Sequence, residues 1–92
     1  MIRSFRSAET RKLFDDQPSR RFRSVERVAR RKLLVIEAAE NLSDLRNPPG
    51  NHLELLRGDR AGQYSIRIND QFRICFRWVN NAAEDVEIVD YH

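Results

Sequence analysis

The chain is poor in the residues that announce most common chemistries. A single cysteine, Cys75, permits no internal disulfide. Two histidines forty positions apart, His52 and His92, join that one thiol to give no metal-ligand spacing, so neither a metal nor another cofactor is expected. Three glycines and no serine-centred pattern exclude a phosphate-binding glycine loop and a hydrolase triad. Lysine is also scarce, with only Lys12 and Lys32 among 17 cations. No apolar run approaches the roughly 20 residues of a membrane span. Met1-Ile-Arg-Ser-Phe-Arg6 leads straight into charged sequence and not into a signal peptide. A reducing cytoplasm and no membrane partner are the expectation.

What is present is arginine, unevenly placed. Residues 1–32 hold eleven Arg and Lys against Glu9, Asp15, Asp16 and Glu26, a local charge of +7, whereas residues 33–92 carry −4. The net charge of +3 therefore describes a patch. Arginine is the fork-shaped donor that suits phosphate, which favours a polyanionic partner. A hydrophobic content of 40% with eight aromatics supports one modest core, hence a single domain over residues 1–92.

Ile2 to Phe5 alternates as a short first strand. Ser7 reads as an N-cap for a helix over Ala8–Phe14, halted near Pro18, with Glu9 in its first turn. Phe22, Val25, Val28, Ala29, Leu33, Val35, Ile36, Ala39 and Leu42 recur at spacings of three and four, predicting a second helix over 22–42. Leu42–Leu45 adds one further turn, and Pro48-Pro49-Gly50 opens a turn into a sheet. His52–Leu56 alternates with Leu53 and Leu55 on one face. Tyr64, Ile66 and Ile68 form the apolar side of the next strand, and Asn69-Asp70 is a tight hairpin turn of positive φ. Phe72, Ile74, Phe76 and Trp78 face the core, with Arg73, Cys75 and Arg77 opposite. After a turn at Asn80–Ala83, Val86 and Ile88 close the sheet. The fold class is α+β: a short N-terminal strand, then two helices on one face of a small antiparallel or mixed sheet. The other face is left open, lined by Glu54, Arg67, Arg73, Arg77 and the C-terminal tail.

That open face carries the parts that RNA cleavage without a metal requires. A base must take the 2′-hydroxyl proton, cations must offset the charge on the phosphorane, and an acid must protonate the leaving 5′-oxygen. Arg73, mid-strand, is a rigid phosphate clamp, and Arg57 is a second cation. Glu54, Asp90, Tyr91 and His92 are the proton handlers, and Tyr91 can also stack on a base. Each has an ordinary reading too. Outward arginines on strands usually serve solubility or cross-strand pairing, here with Glu54 and Glu87, and a terminal Asp-Tyr-His is usually a frayed tail. The run Arg20, Arg21, Arg23, Arg27, Arg30, Arg31 and Lys32 sets seven cations against Glu26 alone. Ordinarily that is a solvated helix face. Its single sign points to an RNA backbone held through phosphates.

The segment Leu53-Glu-Leu-Leu-Arg-Gly-Asp-Arg-Ala-Gly-Gln-Tyr-Ser-Ile-Arg-Ile68, the strand Phe72-Arg-Ile-Cys-Phe-Arg-Trp78 and the ending Val89-Asp-Tyr-His92 together resemble the HigB-type toxins of the RelE/ParE superfamily. The resemblance spans essentially the whole chain. It implies a RelE-like fold, a small ribonuclease that cuts messenger RNA on the bacterial ribosome, and neutralisation by a HigA-type helix-turn-helix antitoxin. Operator DNA would be met only through that antitoxin. By the resemblance, Arg73 is the phosphate-stabilising arginine, Asp90, Tyr91 and His92 are the C-terminal catalytic group, and Arg57 stands where relatives have lysine or arginine. Glu54 departs from the histidine of some HigB toxins, although a carboxylate suits a general base. The basic helix would dock ribosomal RNA. Two alternatives remain: a ParE-like gyrase inhibitor that cuts nothing, and a non-enzymatic basic RNA-binding module.

Overall fold

The computed structural model describes residues 1–91; the expectation for His92 lies outside the described residues. Ser7 caps the first helix, α1 (Ala8–Phe14), by accepting from the Thr10 backbone N–H at 3.3 Å. Glu9 in the first turn accepts from the Ser19 hydroxyl at 2.8 Å. That bond, with help from Lys12, holds its carboxyl below the ordinary value. The helix ends ahead of Pro18 because Asp15 caps it and Asp16 turns left-handed at φ 63°.

The second helix, α2, runs Glu26–Ala38, shorter than the predicted 22–42. At its start the Phe22 N–H is taken by the Ser19 hydroxyl, and Arg23–Val25 form a separate 3-10 turn. At its end Ala39 is extended, and the backbone N–H groups of Glu40 and Asn41 donate to Asp44, opening another 3-10 turn over Leu42–Arg46. The apolar stripe survives these breaks. Phe22, Ala29, Leu33, Ile36 and Leu45 are fully buried, and Leu33 and Ile36 each contribute about 1.5–3 kcal/mol.

Four strands follow in antiparallel order: β1 (Glu54–Leu55), β2 (Tyr64–Arg67), β3 (Phe72–Val79) and β4 (Ala82–Asp90). The core lies between the helices and Ile66, Ile74, Phe76, Val86 and Ile88 of the sheet. Phe22 meets Phe72 edge-on with ring centroids 5.7 Å apart. Asn80 and Asn81, both left-handed, make the two-residue turn between β3 and β4. The other hairpin differs from the expectation, since neither Asn69 nor Asp70 has positive φ. The Asn69 side chain instead accepts from the Gln71 and Phe72 N–H groups at 2.9 and 2.7 Å, organising a wider loop. β1 is also shorter than His52–Leu56. Leu55 is 61% exposed while Leu56 is buried, because two paired residues are too few to enforce strict alternation. A bulge sets Asp85 and Val86 against Phe76, with Asp85 left-handed.

The predicted N-terminal strand is present as two parallel bridges to β4, Ile2 to Ala83 and Phe5 to Val86. The Ala83 and Val86 N–H groups donate to the Met1 and Ser4 carbonyls at 2.8 and 3.1 Å. Asp85 N–H donates to the Ser4 hydroxyl and Ile88 N–H to the buried Thr10 hydroxyl, at 2.9 and 3.0 Å. Among the described residues no helix is long and apolar enough to cross a membrane.

Candidate active site

The face of the sheet turned away from the helices is organised by register. One cross-strand row is Glu54, Ser65, Cys75 and Glu87, and the next is Arg67, Arg73 and Val89. Sequence reasoning left this face open, but Arg73 is only 9% exposed, and Ser65 and Cys75 are fully buried. The reason is that the face is filled by its own polar side chains and by the segments flanking it.

Arg73 is held from several directions. Its Nε donates to Ser65 Oγ at 2.8 Å and its Nη2 to the His52 carbonyl at 2.6 Å. His52 adopts φ 45°, a left-handed conformation unusual outside glycine, as it ends the 3-10 turn Pro49–Asn51. Glu54 lies 3.7 Å from Nη1, the pairing that the ordinary reading of these charges anticipated. The guanidinium carbon sits 5.5 Å from the Tyr91 ring centroid, within cation–π range. The neighbouring arginines have other carboxylate partners: Arg67 pairs with Asp70, and Arg77 with Asp85 at 3.6 Å.

The tail is tied to the β2–β3 loop. Tyr91 N–H donates to the Gln71 carbonyl at 2.6 Å, and the Gln71 side-chain amide donates to Asp90 at 3.0 Å. Tyr91 therefore lies against Arg73 and is not frayed. Asp90 is the register partner of Phe72, so strand alternation sets it on the helix side of the sheet, away from Arg73. Arg57 is exposed at the start of the Gly58–Arg60 turn.

Two residues of this face escaped the sequence reading. Arg60 donates to Glu87 at 2.8 Å and to Gln63 at 3.2 Å, and the Glu87 bond raises its already high pKa. Ser65 supplies the acceptor for Arg73. The phase of β2 was legible and put Ser65 on the outward side; which residue stands diagonally across from it was not. Beneath both, burial pushes the Cys75 thiol up, so it stays protonated and is no nucleophile.

The basic run on the helix layer divides in two. Arg20, Arg21, Arg23, Arg27 and Arg31 are exposed and make no ion pair among the described residues. Arg30 and Lys32, in contrast, are engaged within the fold. Arg30 donates to the Leu13 and Gln17 carbonyls at 2.9 and 3.2 Å and pairs with Asp16 and Glu26, so it holds the end of α1. Lys32 donates to the side chain of Asn51, which is fully buried and itself bonds the Leu45 and Asn47 carbonyls. Burial, with Arg31 beside it, lowers the Lys32 pKa. Within the fold these two cations tie down the end of α1 and the turn that holds Asn51.

A four-stranded antiparallel sheet backed by two helices, with an arginine seated mid-strand on the face turned away from them, is an α+β fold, and comparison with solved structures makes it RelE-like. A chain of the heterotetrameric YoeB–YefM toxin–antitoxin complex from Staphylococcus aureus superposes with a TM-score of 0.63 at 16% identity, covering 100% of this chain and 98% of that one. A second YoeB–YefM complex from the same organism gives 0.58. The model of the HigB-like toxin family, RelE-like toxins of type II toxin–antitoxin systems, matches residues 3–92, and the chain belongs to that family. It is 48% identical over 60 residues to Toxin HigB-1 of Vibrio cholerae, covering 65% of this chain and 63% of that protein. An uncharacterized Haemophilus influenzae protein is 47% identical over 60 residues, 59% of its length. The chain thus spans about three fifths of those two relatives. Endoribonuclease HigB of Proteus vulgaris is 32% identical over 94 residues, covering both chains in full.

Proposed function

We propose that this protein is a metal-independent, ribosome-dependent endoribonuclease that inhibits translation, formed by one toxin domain and restrained by a HigA-type helix-turn-helix antitoxin. The observation that carries the reading is the seat of Arg73: a preorganised guanidinium mid-strand, with Tyr91 against it and Glu54 3.7 Å away. A cation fixed in advance stabilises developing charge without reorganising when the reaction occurs. The name of the Proteus vulgaris relative supports the same chemistry.

In this mechanism Glu54 accepts the 2′-hydroxyl proton and the freed oxygen attacks the adjacent phosphorus. Arg73 offsets the added charge on the phosphorane, with Arg57 as a second, exposed cation. The bond to the 5′-oxygen breaks, and His92 or Tyr91 protonates that oxygen while Asp90 orients the tail. The products are a 2′,3′-cyclic phosphate and a 5′-hydroxyl. Arg20, Arg21, Arg23, Arg27 and Arg31 hold ribosomal RNA from the helix layer. The work is done in the cytoplasm, and operator DNA is contacted only through the antitoxin.

One observation favours a non-cleaving RNA-binding reading: Nε, Nη1 and Nη2 of Arg73 all have partners within the protein. Primer extension on a translated message separates the two. The cleaving reading expects new 5′ ends with wild type and a loss of about 10²–10³ in rate with Arg73→Ala. Intact message with wild type, or unchanged cleavage by Arg73→Ala, overturns it.

A further inference from the structure

The side-on edge of the Arg73 fork is already occupied. Nε and Nη2 share one edge of a guanidinium, and here Ser65 Oγ accepts from the first at 2.8 Å and the His52 carbonyl from the second at 2.6 Å. Ser65 lies on β2 two residues along from Arg67, the position directly opposite Arg73, with its hydroxyl wholly buried. Its reach to Nε is therefore set by strand register, and it has no access to solvent or to a bound polyanion. With that edge taken, the Nη1 side, where Glu54 stands 3.7 Å away, is the part of the fork left to meet a phosphate.

We propose that Ser65 is a positioning residue for RNA cleavage: its buried hydroxyl, together with the His52 carbonyl, fixes the Arg73 fork so that its Nη1 side is presented to the scissile phosphate. This rests on the nuclease reading of the site. Without the hydroxyl, Nε loses its acceptor and the guanidinium rotates about its stem, and small misplacements of a group that must meet the reacting atoms are costly in rate. Lysine in place of Arg73 would not substitute, since its one nitrogen cannot stand at the separate Nε, Nη2 and Nη1 positions of the planar fork.

The test compares Ser65→Ala, Ser65→Thr and Arg73→Ala for single-turnover cleavage on programmed bacterial ribosomes at saturating ribosome concentration. Alongside, the Arg73 Nε–H resonance is followed by NMR, assigned by its absence from Arg73→Lys. Ser65→Ala is expected to lower the cleavage rate by about tenfold or more, with ribosome affinity unchanged. The Nε–H signal should shift and exchange faster with water, and Ser65→Thr should restore both. If Ser65→Ala does not fold, Ser65→Cys keeps the volume without a strong acceptor and takes its place. Wild-type rates with Ser65→Ala, while Arg73→Ala is inactive, overturn the role of Ser65 and leave the nuclease reading standing. Equal losses in the Ala and Thr variants with the Nε–H signal unmoved also overturn it. If Arg73→Ala cleaves like wild type, the nuclease reading itself fails.

Discussion

Glu54→Gln distinguishes a general base from a counter-ion, because the two roles differ greatly in size. Glu54 is half exposed and 3.7 Å from Arg73 Nη1. Unit charges at that distance interact by about 1 kcal/mol in water, and exposed pairs contribute roughly 0.2–1 kcal/mol after screening. If pairing were its whole role, glutamine would lower the melting temperature by no more than about 4–8 °C, the shift that 1 kcal/mol gives a domain of this size. The cleavage rate would hold or rise, since an anion beside the phosphate would be gone. A base removed without changing shape costs about 10²–10⁴ in rate. The expected result is a loss of at least about a hundredfold in single-turnover cleavage, with melting shifted by a few degrees. Glutamine cleaving as fast as glutamate would refute the assignment and move the base to another group.

Further outcomes follow from the same contacts. Arg27→Ala with Arg31→Ala should weaken binding to programmed ribosomes and flatten its salt dependence by roughly 0.7–0.9 per lost phosphate contact, whereas Arg30→Met should chiefly lower the melting temperature, read by circular dichroism. Thr10→Val strands the buried Ile88 N–H and should cost about 1–3 kcal/mol in denaturant unfolding, without changing which bonds in the message are cut. The Asn41 and Glu40 N–H groups hold the Asp44 pKa below its ordinary value of 3.8. A lowered carboxyl stabilises the fold fully above its unfolded pKa and loses that contribution as pH falls through the folded value. Asp44→Asn should therefore be less stable than wild type at pH 6, and the gap should close in strong acid.

Much of the fold was legible because it rests on local rules. Ser7 announced α1, the three-and-four spacing announced α2, and period two assigned the faces of β2 and β3. Arg73 could be singled out because a strand's phase survives errors at its ends. Where the reading fell short, the deciding contact was a side-chain bond that no periodicity announces. Phe22 leaves the helical path because Ser19 takes its N–H, and Asn69 organises its loop through its own side chain. Arg30 and Lys32 look like members of a cationic run, and only the folded chain brings Leu13 and Asn51 to them. Ser65 was hidden for a related reason: strand direction shows which side it faces, while the loop lengths that set its register with Arg73 follow no simple periodicity.

The opening residues have a consequence for association. Between Ala83 and Ile88 the outward N–H groups of β4 are spoken for by Met1, Ser4 and Thr10. A peptide seeking to extend the sheet there meets a saturated margin, which also guards against self-templating into fibres. Lateral growth is left to the short β1 side, beside Glu54. A ligand that docks there by β-augmentation would arrive next to Glu54, the proposed general base, so that capture would also obstruct the proposed site.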